Sequence, residues 1–520
     1  MYRRTIYIGL MLMIASLVLS ACGTGGAGVE PNIAVYGSTV TLPDLDPSSG
    51  FSDDNKVTTQ TYETLTFYNP PGSADIVSPK LATSWESSAD AMTWTFHLRE
   101  GVKFHDGTDF NAEAVKYSIE RTMGLELGAY YIFFPVLEVI VVDELTVQFN
   151  LDYPAPMDLV LSSGYGAWIF SPTAVEGKDN AWFNEGNDAG TGPYMIESYN
   201  PGTNLVLTQF DDYWGGWEDG QFDKVIVQFV EDPTVAEQMI RSGEVDFTYN
   251  LPFENYGALG EAEGVTVDIT PSFSNILALL NTVKPPLDDP LVRQALSYSF
   301  PYQAIAENLY AGMGTQARGP VPAGMWGYDP NLTQYTQDLE KAADLLDQAG
   351  YPDGGFELSY TFVAGDLDQQ QVGELWRAEL AKLGIDMSVD GLQWEAQWDL
   401  GMADPSTAQD AFAFYWWPDY VTPYSFLFNM FHSEDEPFFN LGYYSNPVFD
   451  DLIDSADELS GTNIDAASDM FAEAQEILVE DAAAIFILDL PDIHVIRDDI
   501  SGYVNNPGYP HVVFWYDLRR

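Results

Sequence analysis

A chain of 520 residues is too long for one small core and implies several domains. Its composition, 46% apolar and 14% aromatic, supports large cores and argues against a disordered chain. Its 79 acidic residues against 20 basic ones give a formal charge of −59, which repels nucleic-acid phosphates and anionic lipid headgroups alike.

Any membrane contact must therefore come from an anchor, and the N-terminus supplies a candidate. Arg3 and Arg4 form a short positive region, and Ile6 to Leu19 an apolar core. That core has signal-peptide length and is shorter than the roughly 20 residues of a membrane span. Leu19-Ser20-Ala21-Cys22 follows and resembles the bacterial lipobox, whose cysteine is diacylated. Two chains anchor stably, at about 0.8 kcal/mol per buried CH₂. The alternative is an uncleaved signal anchor. Residues 1–21 are thus assigned as signal peptide, and 22–31 as a lipidated Cys22 with a flexible tether. Gly23 to Gly28 spells a dinucleotide fingerprint, but without a preceding strand or following helix it reads as that tether. Cys22 is the only cysteine, which rules out an intrachain disulfide and a Cys-based zinc site.

Further along, Thr93 to Leu98 alternates with period two and predicts a strand, and Gly101 and Asp106-Gly107 punctuate the hairpin after it. Asn111 caps a predicted helix. Leu145 to Leu151 predicts a second alternating strand, and Val225 to Val230 a buried one. Asp232 and Pro233 start a helix running to about Ser242. Leu277 to Leu280 reads as a core strand. Leu291 to Leu309 and Leu339 to Ala349 predict amphipathic helices, the second ended by Gly350. Val448 to Leu459 and Ala466 to Glu480 predict a late helical pair. The order implies α/β layers, with mixed sheets flanked by helices.

No catalytic or metal-binding constellation stands out. The chain lacks a GxSxG elbow, an HExxH helix and a phosphate-binding GxxxxGK[ST] loop. His97, His105, His432, His494 and His511 are not at ligand spacing, and His105 beside Asp106 reads as turn chemistry. No catalytic residue, metal ligand or cofactor is assigned.

Several motifs occur in a telling order. They are Leu45-Asp46-Pro47, Tyr62-Glu63-Thr64-Leu65, Leu81 to Glu86, Trp94 to Gly107, Gly190-Thr191-Gly192-Pro193-Tyr194, Tyr213-Trp214, Arg241 to Asp246 and Pro290 to Leu296. From about Val35 onward, the chain resembles the extracellular solute-binding proteins of family 5, the oligopeptide-, dipeptide- and nickel-binding proteins. The resemblance implies a two-lobed periplasmic-binding-protein-like fold, a hinged trap with an extra inserted domain. By analogy, lobe I comprises 30–63, 191–275 and 488–520, the extra domain 64–190, and lobe II 276–487. The hinge crossings fall near Phe273 and Leu488.

The same resemblance implies a receptor that delivers solute to the permease of an ABC importer from the outer face of the membrane. It implies a monomer that performs no catalysis. An extended peptide would pair with a strand edge at Tyr415 to Trp417, its α-amino group neutralised by Asp419. Tyr415-Trp416 replaces the Gly-Trp of many peptide binders, and Pro418 removes a donor. The residues themselves leave two readings of this aromatic stretch. Trp416, Trp417 and Tyr420 could be ordinary core. Asp419 among them needs a cationic partner, either a ligand ammonium or a Lys or Arg elsewhere. A sugar receptor of the same fold is the alternative, with Trp394, Trp398, Trp416 and Trp417 stacking on pyranose rings. Nickel or haem chelates are lesser options, and a secreted hydrolase lacks a motif to support it.

Overall fold

The computed structural model describes residues 31–520 except Glu436. The assigned Cys22 anchor and its tether up to residue 30 lie outside the described residues. The chain enters on β1 (Ile33–Ser38) and passes through a short helix, Asn55–Thr61. It then leaves to build a separate layer. A ribbon of β2 (Thr66–Tyr68) and β3 (Val77–Pro79) precedes an antiparallel sheet of β4 (Ala82–Ser87), β5 (Thr93–Leu98), β6 (Val136–Asp143) and β7 (Thr146–Leu151), ordered β4-β5-β7-β6. The buried Trp94, Phe96 and Leu98 alternate along β5 and pack with Phe149 and Ile119.

The chain returns through β8 (Tyr194–Asn200), β9 (Asn204–Gln209), β10 (Lys224–Phe229) and β11 (Phe247–Tyr249). The long β12 (Val265–Leu280) carries it to the second half, with β13 (Thr315–Gln316), β14 (Glu357–Val363), β15 (Asp386–Leu392) and β16 (Ala411–Trp416). β17 (Ala484–Arg497) crosses back. One sheet runs β15-β14-β16-β12-β17-β11-β1-β10-β9-β8, with β13 on β17.

β12 and β17 are the two strands shared by both halves, and their ladder breaks midway. Val265–Pro271 pairs with Pro491–Arg497, and pairing resumes only at Asn275 opposite Asp489. Pro271 faces Pro491 across the gap. Neither can donate an N–H, so the ladder is weakest at that point. Beyond it, Ile276, Ala278 and Leu280 pack on one face of β12, and Leu277 and Leu279 on the other. Burial of both faces explains the unbroken apolar run.

Local signals account for several helix ends. Asn111 accepts from Ala114 N at 3.1 Å, and Asp232 from Thr234 N at 2.8 Å. Gly350 follows the helix Leu339–Gln348 with φ of 90°, a conformation open to glycine. Two expectations need correction. Leu291 to Leu309 is two helices, Pro290–Ser299 and Tyr302–Asn308. Pro301 holds Phe300 extended, with ψ of 132°, and ends the first. β10 is buried on one side only: Val225 and Val227 are inside, while Ile226 and Gln228 are half-buried.

Four of the sequence motifs, those holding Glu63, His105, Gly190–Tyr194 and Tyr213-Trp214, meet in one network between the separate layer and the first half. Glu63 accepts from Thr191 Oγ1 (2.8 Å), Tyr213 Oη (2.9 Å) and Trp214 Nε1 (2.7 Å), and pairs with Lys80 at 3.1 Å. A Cβ at Gly190 would lie 1.9 Å from the Thr61 carbonyl oxygen, and one at Gly192 would lie 2.4 Å from that of Gln60. Close backbone approach therefore requires both glycines. His105 does more than shape a turn: it pairs with Asp188 through Nδ1 and bonds the Gly192 carbonyl through Nε2 at 2.9 Å.

Candidate ligand-binding site

Asp419 sits where the separate layer meets the second half. It is 2% exposed. Tyr131 donates to Oδ1 at 2.7 Å, and Ser425 and Asn429 donate to Oδ2 at 3.1 and 2.6 Å. The helix Pro423–Phe431 places Ser425 and Asn429 four residues apart, on one face. Thr422 caps that helix, and Pro423 fits its first turn. Ser163 of the separate layer donates to the Asp419 carbonyl oxygen.

All three carboxylate partners are neutral. Among the described residues, no Lys or Arg forms an ion pair with Asp419. Burial pushes its carboxyl up to about 6, and the three donors limit the rise. A carboxylate offers about four acceptor sites. Among the described residues Oδ1 accepts from Tyr131 alone, so it retains capacity for a further donor.

The strand leading to Asp419 has an incompletely paired edge. β16 runs antiparallel to β12 from Ala411 to Trp416. On its other side β14 pairs only through Tyr360–Ala411 and Thr361–Phe412. From Ala413 to Trp416 that side has no strand neighbour among the described residues.

Side chains alternate along β16, so the proposed aromatic residues separate. Tyr415 points to the face packed on the helix Leu367–Leu380, its hydroxyl donating to Asp366 at 3.3 Å. Trp416 faces the other way and is buried 5.1 Å from the Phe439 ring. Trp398 lies 5.5 Å from Phe439, and Trp394 lies 5.2 Å from Trp398, centroid to centroid. Phe439 also meets Tyr131 at 5.6 Å. Trp398, Trp416 and, through Tyr131, Asp419 thus share one aromatic wall. Trp394 stands at its solvent end, 42% exposed. Trp417 turns toward the first half, 6.0 Å from Phe51. Tyr420 packs between the second-half core and that of the separate layer.

Sequence reasoning missed Tyr131, Ser163, Tyr165, Phe51 and Asn55. Asn55 Nδ2 donates to Tyr165 Oη at 3.1 Å, and the Phe51 ring lies 4.9 Å from that of Tyr165. None carries a local sequence signal for a site, since each gains its role from a distant partner. A concavity of about 930 Å³ lies beside Lys284, Glu374, Arg377 and Asp410, and Asp419 does not line it. Its cations are already paired, Lys284 with Asp410 and Arg377 with Glu374.

Residues 77–438 match the family model for bacterial extracellular solute-binding proteins, family 5. The chain belongs to that family. The probable D,D-dipeptide-binding periplasmic protein of Escherichia coli K12 is 31% identical over 490 residues, 92% of this chain and 93% of that protein. Heme-binding protein A of Haemophilus influenzae is 29% identical, covering 88% of this chain and 86% of that protein. A periplasmic binding protein of Helicobacter pylori in complex with the peptide STSA superposes with a TM-score of 0.79 at 25% identity, covering 94% and 98% of the two chains.

The family 5 chain is accordingly a two-lobed extracytoplasmic solute-binding protein of the ABC-importer class, and it is a receptor rather than an enzyme. Among the described residues no helix is long and apolar enough to cross a membrane.

Proposed function

We propose that this receptor captures a short peptide between its lobes and delivers it to an ABC permease, acting as a monomer tethered through lipidated Cys22. The carrying observation is Asp419, a buried carboxylate with spare acceptor capacity and no cationic partner among the described residues, just past the strand whose Ala413–Trp416 edge has no strand neighbour there. A peptide's ammonium supplies the missing charge, and its main chain extends the sheet. The relatives named for a dipeptide and the neighbour holding STSA support this ligand class. The moving parts are the lobes 30–63, 191–275 and 488–520 against 276–487, with 64–190 as the inserted domain. The proline-faced gap at Pro271 and Pro491 supports a hinge there.

Calorimetry with free and N-acetylated dipeptides tests the assignment. Asp419→Asn keeps the shape and removes the charge. Affinity should fall at least about tenfold, roughly 1.4 kcal/mol, and acetylated peptides should already bind poorly to the parent. A mutant that binds free peptides as tightly as the parent refutes the role of Asp419. Detergent-phase partitioning tests the anchor: Cys22→Ala should lose it, and unchanged partitioning refutes lipidation.

A further inference from the structure

The lane beside β16 that a peptide would fill has two ends, and each carries its own stop. β14 occupies the lane up to the Thr361–Phe412 pair and then leaves it, pairing with β15 alone as far as Val363–Leu392. Where β14 departs, Gln397 takes its place. This side chain comes from the helix Trp394–Gly401 and is 0% exposed. Its Nε2 donates to the Ala413 carbonyl oxygen at 3.1 Å and to Thr361 Oγ1 at 3.4 Å. The amide thus bridges the strand that leaves and the strand that stays, and it consumes the first backbone acceptor of the open edge.

Beyond that bond, among the described residues, the backbone of Phe414, Tyr415 and Trp416 is bonded by β12 alone. The far end is set by Asp419, and Pro418 before it has no N–H to offer a longer strand. A ligand with its ammonium at Asp419 therefore runs back along β16, antiparallel to it, and meets Gln397. The free stretch from Phe414 to Trp416 is about 10 Å of extended chain. Gln397 cannot swing aside without stripping the Ala413 carbonyl of its donor, and Ala413 is itself 0% exposed. Leaving a buried acceptor unpaired is costly. The Oε1 of the same amide is buried without a partner among the described residues, so this end retains capacity for a donor such as a ligand N–H.

We propose that Gln397 is a length stop, which limits the ligand to a dipeptide or tripeptide by closing the lane at Ala413. This rests on the peptide reading above, and the test separates the two. Dialanine, trialanine and pentaalanine, each as the all-L and the all-D peptide, would be titrated by calorimetry into the parent, Gln397→Ala and Gln397→Met. The parent should bind the two short peptides at least tenfold more tightly than pentaalanine. Gln397→Ala removes the stop, so the ratio of pentaalanine to dialanine affinity should rise at least tenfold. Gln397→Met keeps the bulk without the amide and should keep the length limit. If the parent binds pentaalanine as tightly as trialanine, the length limit is wrong and the peptide reading stands, a result that does not depend on whether Gln397→Ala folds. If the parent discriminates but a folded Gln397→Ala does so equally, or if Gln397→Met accepts pentaalanine, Gln397 is not the stop. If no peptide of any length binds the parent, both readings fall.

Discussion

Tyr131 donates its phenol hydrogen to Asp419 Oδ1 at 2.7 Å across 288 residues of sequence. The contact joins the inserted layer to the second lobe, so the carboxylate that should recognise the ligand also fastens the two parts together. The Phe438 and Phe439 rings flank Tyr131 at 5.8 and 5.6 Å.

Tyr131→Phe should loosen that junction without emptying the aromatic wall. A hydrogen bond to a charged group contributes about 1.5–3 kcal/mol. The unliganded mutant should melt at lower temperature than the parent and show a larger radius of gyration by X-ray scattering. Identical melting and scattering would mean that the contact does not hold the lobes in solution.

Gly192→Ala should be severely destabilising. The added Cβ would lie 2.4 Å from the Gln60 carbonyl oxygen, and backbone cannot yield as a flexible side chain can. Overpacking typically costs about 1–3 kcal/mol, and here the same shift disturbs the Thr191 bond to Glu63. A mutant with the parent's melting temperature would refute this account of the motif.

The unliganded protein should be more stable near pH 5 than near pH 8. Burial raises the folded carboxyls of Asp158, Asp368 and Asp419 to about 6, and of Asp54 and Asp489 to about 7. Between the ordinary aspartate range and these values the folded state binds more protons than the unfolded state, so stability falls as pH rises. His494 acts in the opposite sense: burial lowers it to about 4, and its contribution is lost below about pH 6. One histidine opposes five carboxyls. A melting temperature that climbs from pH 5 to pH 8 would contradict this balance.

Salt should stabilise the fold. A formal charge of −59 repels itself at low ionic strength, where the Debye length is about 30 Å at 0.01 M. The melting temperature should rise between 0.01 and about 1 M NaCl. A flat profile would show that opposite charges already compensate locally, as Arg121 does in its two bonds to Asp46 at 2.7 and 2.6 Å.

The sequence by itself determined what neighbouring residues decide. Asn111, Asp232 and Gly350 set helix ends through bonds and dihedrals within a few residues, and the alternation along Thr93–Leu98 set which side of β5 is buried. The ordered motifs were sufficient to indicate the family. The resemblance singled out Asp419, and its place among Trp417 and Tyr420 called for a cationic partner; the structure instead gives it the neutral donors Tyr131, Ser425 and Asn429. Tertiary structure decided the rest. The helix Asn55–Thr61 is polar in six of its seven residues, yet every one is buried, because Gly190 and Gly192 bring other backbone against it. Tyr415 and Trp416 are adjacent in sequence and face opposite cores, because a strand alternates its side chains across a sheet buried on both sides. Tyr131, Ser163 and Asn55 carry no local mark of a site. Their roles arise only when chain closure brings them to Tyr165 and Asp419, since a hydrogen bond forms at about 3 Å whatever the distance along the sequence.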